Sequence, residues 1–168
     1  MKLLAAVALA LALCTTALGS AAGNIDVPRT FAAQLAKMKR TTRVPVLLPP
    51  SLPLLGNYKV YPSLFGATRN AFQLELSGAP NCLGANACFI AMFRGERGGK
   101  LPGRPNARLA NGDPAFFHPV TCGGSCAPNS LWFTHKGYLY SWQAKDLRAP
   151  EKAIMTRMAN QAIAAGPR

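Results

Sequence analysis

From Tyr58 to Trp142 the apolar residues tend to fall on every second position, and that spacing commits most of the chain to a β-sheet. The clearest run is 71–76, where Phe72, Leu74 and Leu76 alternate with Gln73 and Glu75. Further strands are expected over 58–63, 88–94, 116–120, 130–134 and 138–142. The 88–94 run is apolar throughout and reads as a central strand. Lys136 and Gly137 separate the last two runs by two residues, which is the length of a tight hairpin turn.

Helices flank this pattern. Ile154, Met155, Met158, Ala159, Ala162 and Ile163 share one face of a helix that starts after Pro150 and stops at Gly166 and Pro167. Nearer the N-terminus, Phe31, Leu35 and Met38 recur at helical spacing within 28–40. Residues 44–50 are apolar but hold Pro45, Pro49 and Pro50, so an edge strand or an extended arm is expected there. Strands in succession before a terminal helix predict an α+β fold, an antiparallel sheet with a packed C-terminal helix and a short N-terminal one.

The first residues carry a different signal. Lys2 precedes an unbroken apolar run from Leu3 to Leu13, and small residues follow at Ala17, Gly19, Ser20, Ala21 and Ala22. This is the order of a secretory signal peptide, with cleavage after Ala22 or Gly19. The run is shorter than the roughly 20 residues of a membrane span. Cys14 admits a lipoprotein reading, against which Leu13 stands where a small residue is required. The expected organisation is a signal peptide over 1–22, a helix and linker over 23–43, and one α+β domain over 44–168, placed in the periplasm or secreted.

Export makes the cysteines informative. Cys82, Cys88, Cys122 and Cys126 remain after the leader, and an even count in an oxidising compartment predicts two disulfides. The short spacings favour local pairing, 82 with 88 and 122 with 126, although three connectivities are open. Structural zinc prefers a tighter cysteine spacing, so no metal and no cofactor are expected.

Charge points to partners. Without Lys2, eighteen Lys and Arg face six acidic residues, a net charge of +12. Such an excess favours polyanions: lipopolysaccharide, anionic lipid or acidic polysaccharide. Arg94, Arg97, Lys100, Arg104 and Arg108 crowd a Gly- and Pro-rich stretch that reads as a solvated loop able to wrap phosphates or sulfates. No aromatic residue interleaves them, which disfavours nucleic acid. His118 and His135 are the residues an acid–base pair of a weak secreted ribonuclease would use. Tyr138, Tyr140 and Trp142 share one sheet face, and core packing is the expected role. Esterase, nucleotide-binding and paired-carboxylate motifs are missing, so a non-enzymatic binding module is the leading expectation.

The four cysteines, Leu131 with Trp132, and the closing residues Ala159 to Arg168 resemble small secreted bacterial proteins of uncharacterised function, over 43–168. The resemblance implies export and a shared fold and carries over no catalytic residue. More loosely, the hairpin at Gly137 and Tyr138 followed by a helix is similar to the end of periplasmic sensor and lipoprotein-carrier-like domains. Those domains hold lipid or a lipoprotein on a curved antiparallel sheet.

Overall fold

The computed structural model describes residues 23–82 and 85–168, so the expected leader and Cys14 lie outside the described residues. In chain order the elements are β1 (Asn24–Asp26), α1 (Val27–Thr30), α2 (Ala32–Met38), β2 (Ser51–Pro53), β3 (Tyr61–Thr68), β4 (Ala71–Ser77) and β5 (Phe89–Arg97). They continue with β6 (Ala107–Arg108), β7 (Pro114–His118), β8 (Thr121–Cys122), β9 (Cys126–Ala127), β10 (Asn129–His135), β11 (Tyr138–Ala144) and α3 (Glu151–Ala165). Seven strands form one antiparallel sheet in the order β3-β4-β5-β11-β10-β7-β6. The fold is α+β.

The N-terminal helical segment begins where the Asp26 side chain accepts the Arg29 N–H at 3.0 Å, and it is interrupted at Phe31. Its apolar residues Val27, Phe31, Leu35 and Met38 all point into the core. Residues 44–50 form the extended arm, buried at Val44, Val46, Leu47 and Leu48. Their backbone is tied from outside the segment: the Tyr140 hydroxyl donates to the Pro45 carbonyl at 2.9 Å, and the Arg168 N–H donates to Val46 O at 3.1 Å. Helix α3 buries Ile154, Met155, Met158, Ala159 and Ala162, the face read from the sequence, and Gly166 closes it with φ +76°.

These elements cover one face of the sheet. Phe93 sits at its centre, edge-on to Phe31 at 6.1 Å and to Trp142 at 5.6 Å, while Phe133 stacks on Tyr140 at 5.2 Å. Aromatic pairs in such geometry contribute about 0.5–1.5 kcal/mol each beyond the area they bury. Tyr140 and Trp142 are core residues, as their parity predicts. This face is filled by the protein's own side chains.

Three strands, β3, β5 and β7, differ clearly from their expected limits. The first begins at Tyr61 rather than at Tyr58 and runs on to Thr68, because a bulge between Leu64 and Gly66 breaks the alternation. Strand β5 continues past Arg94 through Arg97, since Gly95 lies against Phe72 on the covered face while Arg94 and Glu96 share the other face. The stretch read as a loop from residue 94 is therefore a loop only over 98–106. Strand β7 starts earlier than expected, at Pro114, and ends at His118.

Candidate functional site

The sheet has two unlike ends. At one, the β3–β4 turn, the β10–β11 turn and the exit of β5 meet, and four exposed cations come with them. Thr68 shapes the first turn by accepting the N–H groups of Asn70 and Ala71 on its hydroxyl, at 3.3 and 3.1 Å. Arg69 sits in that turn, and its carbonyl accepts the Arg43 N–H at 3.0 Å. The Asn70 carbonyl accepts the Arg97 N–H at 2.9 Å, and the Gly137 carbonyl accepts the Gly98 N–H at 3.1 Å. The β10–β11 turn has Lys136 at φ +49° and Gly137 at φ +81°, the left-handed pair that matches the twist of a two-residue hairpin. Arg43, Arg69, Arg97 and Lys136 thus come from four chain segments onto one sheet end, each positioned by a backbone hydrogen bond of its own or of its neighbour.

The acidic groups nearest these strand ends are already engaged. Glu96 pairs with Arg94 at 2.5 Å, and Asp113 lies 2.5 Å from His135 Nδ1 while accepting from Asn111 at 2.6 Å. Both carboxylates thus have partners other than the four turn-end cations.

The five cations expected on one loop are spread out. Arg94 points to the uncovered face of β5, and Arg97 marks the end of that strand. Lys100 and Arg104 lie on the 98–106 segment, which must reach from β5 to β6 across β11, β10 and β7. It does so over the uncovered face: a Cβ on Gly99 would stand 2.8 Å from the Leu139 side chain, and one on Gly103 would stand 2.9 Å from the Phe116 ring. Arg108 is on the far edge strand and donates to the Gly112 carbonyl at 2.8 Å.

The two histidines do not form an acid–base pair. His118 registers with Ser130 and His135 lies five residues further along β10, so alternation places them on opposite faces. The ribonuclease expectation loses its geometry.

At the other end the disulfides are Cys82–Cys88 and Cys122–Cys126, the local pairing expected from spacing. Asn86, inside the first ring, donates to the Cys126 carbonyl at 2.9 Å, so the two staples are joined. Leu55, Tyr58, Phe65 and Val120 are the large apolar side chains exposed on the described surface, and Val120 and Leu55 border a cleft with Cys126. The Tyr58 hydroxyl donates to Asp146 at 2.9 Å, and that hydrogen bond raises its pKa. Among the described residues no three His, Cys, Asp or Glu side chains gather to hold a metal ion. None of the described helices is long and apolar enough to cross a membrane. Two disulfides fit an oxidising environment outside the cytoplasm.

Set against known protein families, curated proteins and solved structures, the chain matches none of them.

Arg43, Arg69 and Lys136 were missing from the sequence-derived set. The signal for two of them was present, a cation in a short turn between alternating runs, but its meaning depends on which turns share an end.

Proposed function

We propose that the protein is an exported, non-enzymatic binding module that engages an anionic component of the cell envelope through the turn end of its sheet. One observation carries this reading: Arg43, Arg69, Arg97 and Lys136 are brought together from separate segments, all exposed, while Glu96 and Asp113 are bonded to other side chains. Lys100 extends the patch onto the crossing segment. The net charge of +12 after the expected leader supplies long-range attraction, and the fixed turns supply the place of contact.

The test compares two quadruple variants in binding to lipopolysaccharide micelles and to inorganic polyphosphate at several salt concentrations. One variant carries Gln at Arg43, Arg69, Arg97 and Lys136. The other carries Gln at Arg29, Lys37, Lys59 and Arg157, removing the same charge elsewhere. At about 1 kcal/mol per cation near an anionic surface, the first should lose roughly a thousandfold in affinity at low salt. The second should lose far less. Equal losses in both, or wild-type binding that ignores salt, would overturn the reading.

A further inference from the structure

The face of the sheet turned away from the helices carries a cross-strand row that the charge reading does not use. Register places Gln73, Arg94, Ser141, Trp132 and Phe116 side by side on β4, β5, β11, β10 and β7. The next row on the same face holds Glu75, Met92, Gln143, Ser130 and His118, with Glu75 buried. Trp132 and Phe116 lie 5.8 Å apart between ring centres, and His118 lies 6.5 Å from Phe116. Trp132 is only half-buried, unlike Trp142, which is 1 % exposed. A sheet face with amide, hydroxyl and guanidinium groups beside an accessible indole is neither a core nor an ordinary solvated surface.

We infer that this face binds an acidic polysaccharide, with Trp132 as the platform beneath a sugar ring, Phe116 supporting it from under the crossing segment, and Arg94, Lys100 and Arg104 facing its carboxylates or sulfates. The inference rests on the polyanion reading above and names the class of ligand. Three features favour it. Sugar rings present C–H faces that pack on aromatic rings, while their hydroxyls need amide and hydroxyl partners of the kind Gln73, Ser141 and Gln143 supply. The crossing segment lays Gly103 on the Phe116 ring, so the exposed Arg104 stands beside the platform and Lys100 stands near Leu139. Arg94 is held by an exposed ion pair with Glu96, a contact worth no more than about 1 kcal/mol and readily exchanged for a ligand carboxylate. Single-stranded nucleic acid also combines charge with ring stacking, but it uses successive stacked bases, and here one aromatic cluster is flanked by amides.

The experiment follows tryptophan emission and affinity on the folded protein as polygalacturonate, dextran sulfate, neutral dextran, inorganic polyphosphate and a single-stranded oligonucleotide are added. The acidic polysaccharides should shift the Trp132 emission and bind with an affinity that Trp132→Ala lowers roughly tenfold, the loss typical of an interface aromatic. Trp132→Phe should restore most of it. Polyphosphate binding should be unchanged by Trp132→Ala. Near-ultraviolet circular dichroism establishes that each variant is folded. If Trp132→Ala leaves polysaccharide affinity unchanged while polyphosphate still binds, this inference fails and the polyanion reading stands. If neither polyanion binds, both fail. Tighter, Trp132-dependent binding of the oligonucleotide than of either polysaccharide would overturn the glycan assignment.

Discussion

The turn end and the disulfide end of the sheet solve the same problem, closing the chain between antiparallel strands, by different means. At the turn end the β3–β4 and β10–β11 connections have two residues each, and they are held by backbone hydrogen bonds from Arg43, Arg97 and Gly98 together with the Thr68 hydroxyl. At the disulfide end the connections are longer, from Ser77 to Phe89 and from His118 to Asn129, and each carries a covalent ring. The difference is one of side-chain freedom. Turns held by backbone hydrogen bonds and the Thr68 hydroxyl leave Arg69 and Lys136 facing solvent, whereas the long connections are tied by side chains such as Asn86 and Lys145. The contrast teaches that a two-residue turn can present its cation to solvent while a long connection spends its side chains on internal ties.

The largest expected effect on stability comes from opening a ring. Replacing Cys82 and Cys88 by Ser should cost about 2 kcal/mol on loop-closure grounds, read as a lower denaturant midpoint. Polyphosphate affinity should stay within a factor of about two of wild type, because the binding end does not depend on the staples. A matching fall in affinity would show that the two ends are one mechanical unit.

Next in size is Gly137→Val. A β-branched residue at φ +81° is strained, so the hairpin should lose about 1–2 kcal/mol. Here stability and polyanion affinity should fall together, since the turn positions Lys136 and its carbonyl holds Gly98 beside Arg97. Loss of stability with full affinity would break the link between turn geometry and binding.

The smallest effect lies midway between the ends. Burial, reinforced by the neighbouring Tyr138 phenol, holds the Tyr140 phenol well above the ordinary tyrosine range. A group whose folded pKa is raised contributes fully below its unfolded value and loses that contribution as pH climbs above about 10. Tyr140→Phe should therefore cost about 1 kcal/mol at pH 7, the hydrogen bond to Pro45, and should flatten the decline in stability at alkaline pH. Urea midpoints of both proteins at neutral and alkaline pH measure it. An unchanged alkaline decline in the variant would count against Tyr140 as its source.

How far these features are legible in the sequence depends on how local their causes are. Helix α3, the arm and the Lys136 turn follow from spacing, proline and glycine within a few residues, and so do the two disulfides. Strands β6, β8 and β9 have two residues each, too short to show a period. The bulge after Leu64 hides the true extent of β3, because one extra residue reverses the alternation beyond it. Most of the cationic site was illegible for a topological reason. Arg69 and Lys136 share an end only because β5 pairs with β11, a contact made across the entire β6–β10 region, and no local pattern reports that pairing. The spread of Arg94 to Arg108 has the same origin: where the 98–106 segment runs is decided by the distance between β5 and β6 in the sheet.

The irregularity of β3 has a consequence for how this protein behaves in a crowded compartment. As the outermost long strand it would offer a continuous ribbon of donors and acceptors to another molecule. Pro62 lacks an amide hydrogen, its carbonyl is already occupied by the Gln34 side chain at 3.0 Å, and the bulge shifts the strand's phase halfway along. An incoming strand therefore meets interrupted pairing, which guards against edge-to-edge aggregation.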